Sequence, residues 1–139
     1  MKWEFTNDRS ISAQIAEAIE KGVLSGVYPL GSSMPSVRVL ALEAGVNPNT
    51  MQKAMAELET QGLLYAQRTS GRTVTTDERL IMVLKEKMAS DYIRNYFEGM
   101  QGLGIEQKEA VEMLVAHQAD ASFPAKTHPM EPTQTGEVV

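Results

Sequence analysis

The chain has 139 residues, 42% hydrophobic and 22% charged, with no cysteine and a formal charge of −5. This suits one domain, or a small domain with an appendage, of ordinary globular composition. The missing thiols exclude disulfide scaffolds and thiolate metal sites, and no apolar run is long enough for a signal sequence or a bilayer span. The expected compartment is the cytoplasm, with no membrane partner.

The acidity is unevenly placed. Residues 1–76 carry seven basic and seven acidic side chains, whereas residues 77–139 carry six and eleven. Within the first part, no Asp or Glu occurs from Gly45 to Ala56 or from Thr60 to Thr76. Those windows hold Lys53, Arg68 and Arg72, so a phosphate backbone meets no carboxylate there. The neutral balance predicts few phosphate contacts per subunit.

In chain order, Trp3 and Phe5 alternate with Lys2 and Glu4, which predicts a short half-buried strand with the rings in the core. Ser10 or Ser12 caps a helix to about Ser25, with Ile11, Ile15, Ala18, Ile19 and Val23 as its buried stripe. Gly26 ends it, and VYPLGSSMP reads as a turn region.

Two helices joined by a tight turn follow. Ser36 caps the first, Val37, Leu40, Ala41 and Ala44 form its apolar face, and Gly45 stops it. The second has Asn47 as cap and Pro48 at the first helical position. Met51, Ala54, Met55 and Leu58 point inward, and Gly62 ends it. Asn49, Gln52, Lys53 and Ala56 then share the outward face. Amides, a lysine and a small residue on an exposed helix suit the reading of base edges, as in the recognition helix of a helix-turn-helix.

Leu63–Ala66 and Thr73–Thr76, on either side of a Ser-Gly turn, predict a β-hairpin whose tip, Arg68 to Arg72, is small and basic. Helix, helix-turn-helix and hairpin make a winged helix. The tip suits phosphates or a minor groove, although any solvated hairpin tip has such a composition.

Asp77 and Glu78 open a helix to about Met100, and the Gly99-Met100-Gln101-Gly102-Leu103-Gly104 segment breaks it. Ile81, Leu84, Met88, Tyr92 and Tyr96 form its stripe, flanked by Leu80, Ile93, Phe97 and Met100. A last helix from Ile105 to about Gln118 turns Ile105, Val111, Leu114 and Val115 inward. Two helices close no core alone, so the expected cover is the same pair from a second subunit, with packing onto the head as the alternative. The remainder reads as a disordered tail.

PSVRVLALEAGVNPNTMQKAMAELETQGLL with the TSGRT wing closely resembles the GntR family of bacterial transcription regulators. The matching positions are Pro35, Ser36, Arg38, Leu40, Ala41, Gly45, Val46, Asn49, Thr50, Lys53, Ala54, Glu57, Leu58, Glu59, Gly62 and Leu63. WEFTNDRSISAQIAEAI also looks like the family's first strand and helix, so the resemblance covers about residues 3–76. A remainder of only two helices and a tail, with Asn-Pro-Asn-Thr at Asn47–Thr50, is similar to the YtrA-like subgroup. The resemblance implies a dimeric repressor, in several members one linked to transporter operons. It implies phosphate or groove-wall contacts at Ser36 and Arg38, a major-groove set of Asn49, Thr50, Gln52 and Lys53, and wing contacts at Gly71 and Arg72, with Arg68 beside them. Asn47 is either a cap or a base contact. Pro48 and Gln52 stand where many members have arginine, which implies a different base preference.

Catalytic and metal constellations are weak. His117 and His128 are the only histidines, and a metal site would need Glu112 or Asp120 gathered beside them. There is no nucleophile motif, and the glycine-rich break does not follow a strand. The methionines read as core filling. We therefore expect no enzyme, no metal and no cofactor.

The expected fold is mainly α (α+β): a winged helix-turn-helix over residues 1–76, a helical dimerisation region over 77–118 and a tail over 119–139. The expected partners are a second copy and a palindromic double-stranded operator. A protein-interaction module without DNA binding, or a regulator switched by a small molecule between the dimer helices, are the competing readings. The effector, if any, is not legible in the sequence.

Overall fold

A computed structural model describes residues 1–67 and 71–118. The elements are α1 (Ile11–Leu24), α2 (Val37–Ala44), α3 (Pro48–Thr60), β1 (Leu64–Gln67), β2 (Gly71–Val74), α4 (Glu78–Gly102) and α5 (Gln107–Gln118). The hairpin-tip residues Arg68, Thr69 and Ser70 lie outside the described residues. So do residues 119–139, with Asp120, His128 and the expected tail.

Local chemistry starts each of the first four helices. Ser10 and Ser36 accept from the backbone N–H groups of Ala13 and Val39, both at 3.1 Å. Asn47 accepts from the N–H of Asn49 at 2.7 Å, and Asp77 from those of Arg79 and Leu80 at 3.1 Å. Each cap satisfies N–H groups that have no partner inside the helix, at about 1 kcal/mol apiece. Gly45 and Gly62 end α2 and α3 with φ of 70° and 85°. The next residues then bond back: Val46 N–H to Ala41 O at 3.0 Å and Leu63 N–H to Leu58 O at 3.1 Å. This ending needs a left-handed residue, which glycine supplies without Cβ strain.

The head's core lies where α1, α2 and α3 meet. Ile15, Ile19, Leu40, Met51, Met55, Leu58, Leu63 and Leu64 are almost wholly buried there. Each such side chain contributes about 1.5–3 kcal/mol of transfer free energy. The hairpin closes one side, with Leu64 opposite Val74 and Gln67 opposite Gly71. Residues 31–34 line the other edge of β2: Gly31 N–H bonds Val74 O at 3.0 Å, Val74 N–H bonds Ser32 O at 2.9 Å, and Met34 N–H bonds Arg72 O at 2.8 Å. Half of the expected turn region is thus a strand-like clamp that ties the approach to α2 onto the wing.

Two expectations are corrected. Residues 2–5 form no strand. Trp3 and Phe5 still pack on the core while Lys2 and Glu4 stay exposed, so the alternation reports burial without a ladder. The Gly99–Gly104 segment ends α4 as expected: the helix runs to Gly102, and its end bonds Ile105 N–H to Met100 O at 2.9 Å. Finally, Leu80, Ile81 and Leu84, expected at a dimer interface, pack against the head's core.

The described residues divide into two compact units, one within 1–88 and the other within 89–118. Within the second, Tyr96 donates its hydroxyl hydrogen to Ala110 O at 2.7 Å, and Ala110 is fully buried. The Tyr96 and Phe97 rings lie 5.4 Å apart.

Candidate nucleic-acid interface

The segregation of α3 builds the site. Met51, Ala54, Met55 and Leu58 are buried, which leaves Asn49, Gln52, Lys53 and Ala56 exposed and Thr50 half-buried. A helix whose apolar side is wholly used in the core offers its opposite side in one fixed orientation. That opposite side is polar and carries one cation. α2 packs across α3, and its cap Ser36 and first-turn Arg38 are both exposed. Among the described residues no ion pair engages Arg38 or Lys53, so both charges remain available to an anion.

Each other expected contact has a definite place. Asn47 caps α3 with its side-chain oxygen, the structural half of the two roles open to it. Gly71 is exposed at the start of β2 with φ of 82°. Arg72 is half-buried and sits beside Glu59 of α3, with its Nε 3.1 Å from the carboxylate. Arg68 is outside the described residues.

Periodicity did not bring α1 to this face. An open groove of about 410 Å³ is lined by Ser10, Ile11 and Ser12 from α1 and by Asn49, Thr50 and Lys53 from α3. The available signal was the serine pair at the start of α1, which the sequence presents only as alternative caps. Ser10 is the cap, and Ser12 is buried.

The residues assigned to a dimer interface fall into two groups. Leu80, Ile81 and Leu84 belong to the head, as described above. Of the others, Met88, Tyr96 and Ile105 are half-buried, whereas Tyr92, Val111, Leu114 and Val115 are exposed, Val115 to 60%. Among the described residues no group of three or more His, Asp or Glu side chains is placed to hold a metal ion. None of their helices is long and apolar enough to cross a membrane.

Three helices with a two-stranded wing, presenting a polar recognition face, define a winged-helix DNA-binding module of a transcription regulator. The chain belongs to the GntR family: the model of bacterial regulatory proteins of the gntR family matches residues 11–74. Bacillus subtilis YtrA, a helix-turn-helix-type transcriptional repressor, is 30% identical over 97 residues, covering 66% of this chain and 75% of that protein. The helix-turn-helix-type regulator YhcF of the same organism is 28% identical over 109 residues, covering 78% of this chain and 90% of its own. A solved GntR-family regulator from Listeria monocytogenes superposes with a TM-score of 0.74 at 33% identity. That alignment covers 81% of this chain and 98% of the other. These relatives are transcription regulators and not enzymes.

Proposed function

We propose that this protein is a cytoplasmic, homodimeric repressor of the YtrA-like kind, which acts by occupying a palindromic operator. The observation that carries the reading is the division of α3, with Met51, Ala54, Met55 and Leu58 in the core and Asn49, Gln52 and Lys53 left exposed. In this reading Asn49, Thr50, Gln52 and Lys53 enter the major groove. Ser36 and Arg38 grip the adjoining backbone, and the wing at Gly71 follows the neighbouring groove. Amides at Asn49 and Gln52 match the donor and acceptor pair of adenine.

Dimerisation rests on a physical argument. Tyr92, Val111, Leu114 and Val115 expose apolar surface on α4 and α5, and a second copy is the cover whose symmetry also doubles the recognition helix. Half-sites would lie about 34–36 Å apart, one helical turn, and bound protein would exclude polymerase. Likeness to YtrA supports repression and the short C-terminal region, and the subgroup resemblance extends the reading to a transporter-linked operon.

Selection of binding sites from random duplex DNA tests the proposal. The expected result is an enriched palindrome, bound as a dimer and released steeply with salt. Arg38→Ala and Lys53→Ala should weaken that binding while leaving the melting temperature unchanged. A monomer that enriches no sequence, or two variants that bind as tightly as the parent, would overturn it.

A further inference from the structure

The wing carries an arginine whose surroundings differ from those of Arg38 and Lys53. The Arg72 side chain is only 13% exposed, and its Nε lies 3.1 Å from Oε2 of Glu59, itself 29% exposed, in the last turn of α3. The Nε–H is buried and not aligned for a directed hydrogen bond, so the contact is Coulombic. The same residue stands opposite Ala66 in the hairpin ladder. Its carbonyl accepts the N–H of Met34, two residues before the cap of α2, at 2.8 Å. One residue thereby joins β1, the approach to α2 and the end of the recognition helix.

We propose that Arg72 is a positioning residue: through Glu59 its side chain holds the wing in register with the end of α3, and it does not itself contact a phosphate. Two physical points support this. A side chain so little exposed offers an incoming phosphate far less approach than the exposed Arg38 and Lys53. A carboxylate in the last turn of a helix also meets the negative end of the dipole. Unneutralised, Glu59 would repel DNA from the junction of wing and recognition helix, and Arg72 cancels that charge where it arises. The inference rests on the DNA-binding reading proposed above.

The test compares Arg72→Met, Glu59→Gln and the double variant in the full chain, on a duplex that the parent enriches from a random pool. A positioning pair predicts that both single variants weaken binding roughly tenfold and that the double variant is no weaker than either, as for two coupled neighbours. The slope of log affinity against log salt should not change. A direct phosphate contact predicts instead that Arg72→Met lowers the slope by about 0.9 per phosphate lost, while Glu59→Gln leaves binding equal or tighter. Either of those results overturns the proposal. Amide hydrogen exchange at Tyr65 and Thr73, measured without DNA, should quicken in both single variants, and unchanged exchange in both also overturns it. Glu59→Gln is nearly isosteric and carries the comparison should Arg72→Met fail to fold. A parent that enriches no duplex sinks the DNA-binding reading, while the exchange measurement still decides the register.

Discussion

Gln14 and Thr6 close a two-bond ring: Gln14 Oε1 accepts the backbone N–H of Thr6 at 2.8 Å, and Gln14 Nε2 donates to the carbonyl of Thr6 at 2.9 Å. The same Nε2 reaches Arg9 O at 3.0 Å. A buried amide side chain on α1 thus does for the amino-terminal segment what a neighbouring strand would do. Gln14→Leu removes those partners and leaves the Thr6 and Arg9 backbone groups unpaired. The expected cost is about 1–3 kcal/mol. Chemical denaturation should show it, with the emission of Trp3 moving to the red as its segment loosens.

Gly22 sits inside α1, where glycine ordinarily weakens a helix by about 1 kcal/mol relative to alanine. Here a Cβ would meet the Tyr28 ring at 2.7 and 2.8 Å. The ring cannot retreat easily, because Tyr28 N–H bonds Gly22 O at 3.0 Å. Gly22→Ala should therefore destabilise the head by about 1–3 kcal/mol, as overpacking does. In a Tyr28→Ala background the same change should turn stabilising. A thermal melt of the four proteins checks the reversal of sign.

Half-burial pushes the Glu20 carboxyl above its ordinary value of 4.5, Glu17 and Glu57 push the same way, and Lys87 and Lys21 oppose them. The folded protein therefore holds this proton more tightly than the unfolded chain. The stability that follows is present below the ordinary pKa and is lost as pH rises through the raised one. Glu20→Gln should raise the melting temperature at neutral pH, by an amount worth less than about 0.5 kcal/mol given solvent screening. Near pH 3, where both states are protonated, its effect should approach zero. A gain that persisted in acid would contradict this account.

Asn47 offers a clean separation of two roles, because aspartate caps a helix as well as asparagine does. Asn47→Asp keeps the oxygen that accepts from Asn49 N–H and adds a negative charge to the face assigned to DNA. Stability should stay within about 0.5 kcal/mol of the parent. Duplex affinity should fall, and fall more at low salt, since repulsion from phosphate is strongest there. Asn47→Ala should show the converse, losing about 1 kcal/mol of stability.

Residue order alone determined the helices, the caps of α2 and α3 and which face of α3 stays in water. Ser36, Gly45, Asn47, Pro48 and Gly62 act within one turn of their own positions, so their effect needs no distant partner. The inward set Met51, Ala54, Met55 and Leu58 follows from a period of 3.6 residues in the same way. Tertiary structure decided the rest: residues 31–34 lie along β2, and Thr6 turns to Gln14 in place of a strand. It also packs Leu80, Ile81 and Leu84 on the head and brings Arg72 beside Glu59. Each of these joins residues from separate elements, whose meeting depends on how the whole core closes; the stripe through Ile81 and Leu84 marks a face to be covered without marking what covers it.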